Sequence, residues 1–179
     1  VRIDAEAGAD RTNRTRTVAA RSALVLSERL YREFADLPLR QPFDASLKEK
    51  KQRMDAAIEA LGALVDYQVG DVTAAATFYM AEIYSGLSRS LMDSERPAGL
   101  RPADLQEYEL ALEDEAYPFE ERAIEVHEKN MELMRTGIYN AWIDKSLGKL
   151  ADLMTARYAK GEISSGFLGS IDRYAYSAP

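Results

Sequence analysis

His127 is the only histidine of the chain, and it stands at the start of the segment His-Glu-Lys-Asn-Met. This spacing is close to the zinc motif His-Glu-x-x-His, in which two histidines on one helix face bind the metal. Met131 occupies the position of the second histidine. The chain has no cysteine, and no Glu-x-x-His pair is present for a carboxylate-bridged di-iron site. We therefore predict no metal and no cofactor, and we interpret His127 as a packing or surface residue.

Carboxylates are the second group that could do chemistry. The segment from Ala103 to Thr136 contains eleven Asp or Glu residues and three basic residues. Two carboxylates can act as acid and base where a pocket separates their pKa values, so an acid–base hydrolase using Glu120, Glu121 and Glu125 is an alternative function. Consecutive acids around a helix are more typical of a solvated face. No serine or threonine has a His or Lys base in a recognisable motif. We predict that the protein is not an enzyme.

Composition and charge restrict the class of partner. The net charge of −7 argues against a nucleic-acid surface, which needs clustered Lys and Arg. No run of 18 apolar residues is present, so we expect no membrane span. The absence of cysteine leaves the periplasm and the cytoplasm both open as compartments. Because the chain begins with Val1, we expect a fragment or processed form of a longer protein.

Apolar periodicity predicts five helices joined by Pro- and Gly-rich or tight connections. Their expected ranges are residues 5–36, 46–67, 72–92, 102–136 and 139–158. Ser46 and Glu49 match a capping box, Asp71 is an expected N-cap, and Gly137 an expected stop. Pro118 should kink the fourth predicted helix. Residues 162–179 show no sustained period and are expected to form an extended tail after a helical domain of residues 1–161.

Short motifs recur along the predicted helices. The segment AIEALGALVDY begins at Ala57 and AIEVHEKNMEL at Ala123, 66 positions later, while MAEIY begins at Met80 and LGKLA at Leu147, 67 positions later. Both spacings are about twice the 34-residue unit of tetratricopeptide repeats. The chain resembles degenerate tetratricopeptide repeats, whose first helix carries a large apolar residue, a small one and another apolar residue three positions on. The matching triplets are Met80, Ala81 and Tyr84; Leu147, Gly148 and Ala151; and Leu26, Ser27 and Leu30.

This resemblance implies an all-α fold in which antiparallel helix pairs stack into a tetratricopeptide-like solenoid segment. A closed five-helix bundle or coiled coil is the structural alternative, because the fourth predicted helix has apolar rows of seven-residue spacing. The last third of the chain, including PFEERAIEVHEKN and YNAWIDKSLGKLADLMTARYAKGE, is similar to the C-terminal part of large proteobacterial cell-envelope tetratricopeptide proteins. That similarity implies a periplasmic, non-enzymatic protein–protein interaction scaffold within an envelope assembly. A structural spacer in a longer repeat protein is the other alternative.

In tetratricopeptide arrays the first helix of each pair lines a concave groove. By register, the resemblance implies a partner-binding groove on the first, third and fifth predicted helices. Its residues are Arg21, Leu24, Glu28, Tyr31 and Arg32, then Phe78, Glu82, Ser85 and Arg89, and finally Trp142, Lys145, Lys149 and Asp152. Five of them are basic and three acidic, so we expect a protein or peptide partner with acidic residues or a free carboxylate. The alternative is that the chain's own tail or a neighbouring repeat fills the groove.

Overall fold

A computed structural model describes residues 1–154 of the 179-residue chain. The predicted all-α fold with five main helices is confirmed, and no strand occurs between residues 1 and 154. The α-helices are α1 (Arg2–Glu6), α2 (Asn13–Ala35), α3 (Phe43–Gly62), α4 (Gly70–Met92), α5 (Pro102–Glu132) and α6 (Ala141–Leu153). Three short 3-10 helices accompany them, at Gly8–Asp10, Val65–Tyr67 and Leu133–Thr136. The predicted tail of residues 162–179 lies outside the described residues.

The first predicted helix, residues 5–36, is two helices rather than one. Gly8 has a φ of +48°, which an α-helix cannot accommodate, and it separates α1 from α2. Thr12 then caps α2, because its hydroxyl accepts from the Thr15 backbone N–H while the Thr15 hydroxyl accepts from the Thr12 backbone N–H. This reciprocal pair marks the true start of the long helix.

The predicted capping box at Ser46 is wrong. Ser46 lies inside α3, where its hydroxyl accepts from the Arg40 backbone N–H and donates to the Arg40 carbonyl. Pro42 occupies the N-cap position instead; it has no N–H to leave unpaired, so the helix can begin directly after it. The second predicted helix also ends early, since α3 stops at Gly62 and Gln68 takes a left-handed φ of 52°.

The predicted N-cap at Asp71 is also wrong. α4 begins two residues earlier than predicted, at Gly70, with Val69 in the N-cap position. Asp71 instead lies in the first turn, where a carboxylate interacts favourably with the positive end of the helix dipole. Its Oδ1 accepts a hydrogen bond of 3.1 Å from Asn140 Nδ2. Asp71 therefore ties the start of α4 to the start of α6.

The last two predicted helices differ from the structure at their ends. α5 runs through Pro118 to Glu132, and the final turn to Thr136 is a 3-10 helix that Gly137 ends with a φ of +80°. α6 begins at Ala141 rather than Tyr139, because the Asn140 side chain accepts from the Trp142 and Ile143 backbone N–H groups. α6 ends at Leu153, and the predicted continuation to residue 158 reaches beyond the described residues.

Consecutive long helices form antiparallel pairs. In the α2–α3 pair, the Ser27 hydroxyl lies 3.4 Å from the Ala60 carbonyl while Lys50 bonds to the Phe34 carbonyl. In the α4–α5 pair, Asn130 bonds to the Ala74 carbonyl near one end. Arg96, just past the other end of α4, lies 3.8 Å from Glu109.

The first helices of the two pairs, α2 and α4, lie side by side and run in the same direction. Tyr31 of α2 contacts Tyr79 of α4, and Phe34 lies 3.3 Å from the position that a Cβ at Gly86 would occupy. α4 contacts all four other long helices, α2, α3, α5 and α6. It therefore lies at the centre of residues 1–154, in an all-α architecture that is consistent with a helical-repeat-like fold.

The main hydrophobic core surrounds α4. Its buried members come from α2, α3, α4 and α5 and from the connections between them, and include Ala20, Phe34, Leu61, Leu64, Val72, Ala76, Ile83, Leu87, Leu91 and Ala116. Two of the repeat triplets depart from this pattern. Their large apolar residues Leu26 and Leu147 are 64% and 42% exposed, not packed between helices. The small residue Ser27, by contrast, is buried.

Candidate functional site

α2, α4 and α6 form one continuous surface, which we call the three-helix face. It carries the thirteen residues of the predicted groove, and three recesses open along it. One cavity of about 430 Å³ includes Tyr31, Glu82 and Arg89. A second, of about 460 Å³, includes the five predicted residues Phe78, Trp142, Lys145, Lys149 and Asp152. A third, of about 300 Å³, includes Arg21, Leu24 and Trp142.

An aromatic cluster crosses this face from α2 to α6. The ring centroids of Tyr31 and Tyr79 are 4.9 Å apart, those of Tyr79 and Trp142 5.2 Å, and those of Phe78 and Trp142 5.5 Å. Tyr79 is the central ring, although the predicted groove does not include it. The repeat register placed only its neighbour Phe78 in the groove. The structure shows that Tyr79 bridges α2 and α6.

Not every predicted groove residue is accessible. Phe78 and Glu82 are only 7% and 8% exposed, so they belong to the floor of the face rather than to its open surface. The other eleven are at least partly exposed. The two buried positions lie on α4, which has neighbouring helices on both sides and therefore has less free surface than α2 or α6.

Two of the five basic groove residues are already paired within the face. Lys149 Nζ lies 2.9 Å from Glu82 Oε2, and Arg32 lies 3.9 Å from Glu28. Arg21, Arg89 and Lys145 have no carboxylate within 4 Å among residues 1–154. Lys145 instead lies over the Trp142 ring, 4.1 Å from its centroid, an arrangement that cation–π attraction stabilises. The three-helix face thus combines aromatic rings with three cations that lack an acidic partner in the described part of the chain.

Glu28 also fixes the central aromatic ring. The Tyr79 hydroxyl donates a hydrogen bond of 3.2 Å to Glu28 Oε1. Burial, followed by the charge and hydrogen bond of Glu28, raises the pKa of Tyr79 to about 12. The hydroxyl therefore stays protonated at neutral pH, and the ring is held in one orientation between Tyr31 and Trp142.

A buried polar network lies directly beneath the face, between α4, α5 and α6. His127 Nδ1 is 3.2 Å from the Ser146 hydroxyl, and His127 Nε2 is 3.6 Å from Glu82 Oε1. Asn130 Nδ2 donates to both Ser146 Oγ and the Ala74 carbonyl. The interpretation of His127 as a packing residue fits its complete burial. Its contact with Ser146 joins two helices and follows no recognisable sequence motif.

Serine, histidine and a carboxylate are the components of a hydrolytic triad, yet this arrangement is sealed. Ser146 and His127 are both 0% exposed, so a substrate carbonyl cannot reach the serine hydroxyl in this conformation. The groups instead connect three helices and hold Glu82 beneath Lys149. The network is a structural support of the three-helix face.

The carboxylates of the hydrolase alternative do not converge on a pocket. Glu120, Glu121 and Glu125 are all exposed on α5, and Glu125 pairs with Arg122 at 2.6 Å.

Within residues 1–154, no cluster of three or more His, Cys, Asp or Glu side chains is placed to hold a metal ion. In the same part of the chain, none of the helices has the length and hydropathy needed to cross a bilayer.

Comparison of the chain with protein-family models, with curated proteins and with solved structures finds no match in any of the three.

Proposed function

We propose that the protein is a non-enzymatic protein–protein interaction scaffold that binds an acidic peptide segment on its three-helix face. One observation carries this proposal: Arg21, Arg89 and Lys145 lie around an aromatic cluster without carboxylate partners in residues 1–154, on a chain of net charge −7. A cationic surface attracts acidic partners and repels basic ones.

The chemistry of the face suits a peptide better than a small substrate. Aromatic rings supply contact area at low cost in side-chain entropy, and the recesses beside Trp142 are open and shallow rather than enclosed. Arg21 and Arg89 can donate charge-assisted hydrogen bonds to Asp or Glu side chains or to a free C-terminal carboxylate. Because the cations are distributed over three helices, we expect a partner segment that crosses all three.

The resemblance to tetratricopeptide repeats supports the same function. The parallel order of α2, α4 and α6, with α3 and α5 behind them, is the arrangement that such repeats would produce. By the same resemblance we propose that the scaffold works in the periplasm within a bacterial envelope assembly, as part of a longer chain.

Selection from a displayed random-peptide library tests the proposal. Peptides enriched by the wild-type protein should contain more Asp and Glu than the input library. An Arg21→Ala/Arg89→Ala/Lys145→Ala variant should lose this enrichment. The matched control is Arg14→Ala/Lys48→Ala/Arg135→Ala, which removes three exposed bases outside the face and should select the same peptides as wild type.

The two alternative functions predict different results. If the protein is a structural spacer, neither the wild type nor the Arg21→Ala/Arg89→Ala/Lys145→Ala variant should enrich any family of peptides. A hydrolase using the α5 carboxylates would lose its activity on Glu120→Gln/Glu121→Gln/Glu125→Gln substitution, whereas under the scaffold proposal this variant keeps both its fold and its selected peptides.

A further inference from the structure

The outward side of α2 carries an apolar row that no other described element covers. Val18, Val25 and Leu26 are 59%, 61% and 64% exposed. Residues seven positions apart lie only about 20° apart around a helix, so Val18 and Val25 follow one line along α2. Arg14 and Arg21 flank this line, and neither has a carboxylate within 4 Å among residues 1–154. We call this surface the basic row.

The outward side of α5 has the same spacing with the opposite charge. Leu110 and Tyr117, also seven positions apart, are 55% and 62% exposed. Glu107, Asp114 and Glu121 lie within about 60° of that line at 100° per residue. All three are exposed, and none has a basic partner within 4 Å in the described part of the chain. We call this surface the acidic row.

We infer that the basic row of one copy packs against the acidic row of a second copy. Each row is an apolar line with unpaired charges along its edges, and the two lines have equal spacing and opposite sign. Pairing two basic rows would bring arginines together, and pairing two acidic rows would bring carboxylates together, so charge complementarity selects the mixed contact. This contact buries Val18, Val25, Leu110 and Tyr117 in one interface.

The contact is heterologous, because the two surfaces that meet are different. Each dimer retains one unused basic row and one unused acidic row, so further copies can add and association continues beyond two. Except for Arg21, which borders both surfaces, the rows are separate from the three-helix face. Self-association therefore leaves most of that face open.

Sedimentation velocity of the purified full chain tests this inference. Wild-type protein should show species larger than a dimer as its concentration rises from micromolar to millimolar, and raising the salt concentration should shift it toward monomer because salt screens the flanking charges. Val25→Glu places a carboxylate in the basic row, and Tyr117→Lys places a cation in the acidic row. Each should weaken self-association by roughly tenfold or more, since an unpaired charge would be buried in the contact.

Two controls alter exposed apolar residues outside both rows. Ile3→Glu on α1 and Leu147→Lys on α6 change residues that are 79% and 42% exposed, and both variants should associate like wild type. Circular dichroism and the urea midpoint establish that all four variants are folded. Equal weakening by a control variant would mean that net charge, not the rows, governs association, and would overturn the inference.

Mixing the two row variants provides the sharpest outcome. Val25→Glu keeps an intact acidic row and Tyr117→Lys keeps an intact basic row, so the equimolar mixture should associate more strongly than either variant alone. A wild-type protein that remains monomeric at millimolar concentration overturns the inference. So does a mixture that stays monomeric, or a Tyr117→Lys variant that associates like wild type, since the latter would indicate contact between like rows.

Discussion

Glu82 links the interior of the molecule to its surface. Its carboxylate lies between His127 below and Lys149 above, so a single side chain connects α4 to both α5 and α6. Burial raises the pKa of Glu82, but the partners His127 and Lys149 outweigh this effect and leave the pKa below the ordinary value of 4.5. The folded state thus stabilises the charged form of a largely buried group.

Replacing Glu82 with Gln preserves its shape and removes its charge. We expect the free energy of unfolding at neutral pH to fall by about 1–3 kcal/mol, because Lys149 and the buried His127 lose their charged partner. Glu120→Gln, an exposed acid on α5, is the control and should change stability by less than about 0.5 kcal/mol. Urea denaturation monitored by circular dichroism measures both values.

The same variant should change how stability depends on pH. A carboxylate with a depressed pKa in the folded state binds protons more weakly than in the unfolded chain, so its contribution is present above pH 4.5 and is lost as the pH falls through the folded pKa. Wild type should therefore lose more stability than Glu82→Gln when the pH is lowered below 4.5. Identical acid dependence of the two proteins would show that Glu82 is not held as a charged group.

Lys50 is the second residue whose role only the structure reveals. Its side chain is 1% exposed, and Nζ donates to the Phe34 and Leu37 carbonyls at 3.1 and 2.5 Å. It also lies 4.5 Å from the centroid of the Phe34 ring. A cation at this position adds hydrogen bonds to two carbonyls at and just beyond the C-terminal turn of α2, and it interacts favourably with the helix dipole.

Lys50→Ala and Lys51→Ala form a matched pair of neighbouring substitutions. Lys50→Ala should lower the free energy of unfolding by about 2–4 kcal/mol, through the lost hydrogen bonds and the cavity left behind. Lys51 makes a partly exposed ion pair with Glu115 at 3.0 Å, so Lys51→Ala should cost less than about 1 kcal/mol. Similar costs for the two variants, measured by urea denaturation, would exclude the capping role of Lys50.

The contacts of His127 and Lys50 could not be predicted from the sequence. The spacing around His127 excluded a helical zinc motif, because a second histidine must follow four positions later. Its contact with Ser146 joins two helices across nineteen positions, and the partners of Lys50 are main-chain carbonyls at and just beyond the end of α2. No local pattern encodes either contact, because both depend on how helices pack.

Helix positions were predictable where apolar rows are long, whereas helix ends were predictable only at some boundaries. Pro102 and Gly137 marked real boundaries, because proline suits a helix start and glycine takes a positive φ. Ser46 and Asp71 match capping signals but serve other contacts, with Arg40 and Asn140. Capping residues also bond to side chains and loops of other segments, and only the folded chain determines which partner they take.

Substitution of Pro118 tests whether a proline inside α5 lowers the stability of the protein. It lies within α5, which continues for residues on both sides of it, so one main-chain hydrogen bond is missing and the proline ring crowds the preceding turn. Pro118 is exposed, and alanine can take its place without a clash. Pro118→Ala should raise the free energy of unfolding by about 1–3 kcal/mol.

The control for this substitution is Pro97→Ala, in the connection between α4 and α5, which should not stabilise the protein because no helix hydrogen bond is restored there. A decrease in the urea midpoint of Pro118→Ala would indicate that the proline favours the native course of α5. A kink at Pro118 that the native packing of α5 requires would then explain the loss of stability.

At the scale of the molecule, the order of the helices determines the proposed function. α4 lies between α2 and α6, so residues more than a hundred positions apart, such as Arg21 and Trp142, meet around one recess. The repeat register predicted that these helices share a face. It missed Tyr79, and it did not distinguish paired bases such as Lys149 from unpaired bases such as Lys145, because ion pairs depend on rotamers and neighbouring helices.

The fluorescence of Trp142 measures binding on this face directly, because it is the only tryptophan of the chain and lies between Tyr79 and Lys145. Titration with an acidic peptide from the library selection should change its emission, with an affinity that falls steeply as salt rises. Arg21→Ala/Arg89→Ala/Lys145→Ala should bind the same peptide roughly tenfold or more weakly, with a flatter salt dependence. An unchanged affinity and salt dependence in this variant would contradict acidic-peptide binding on the three-helix face.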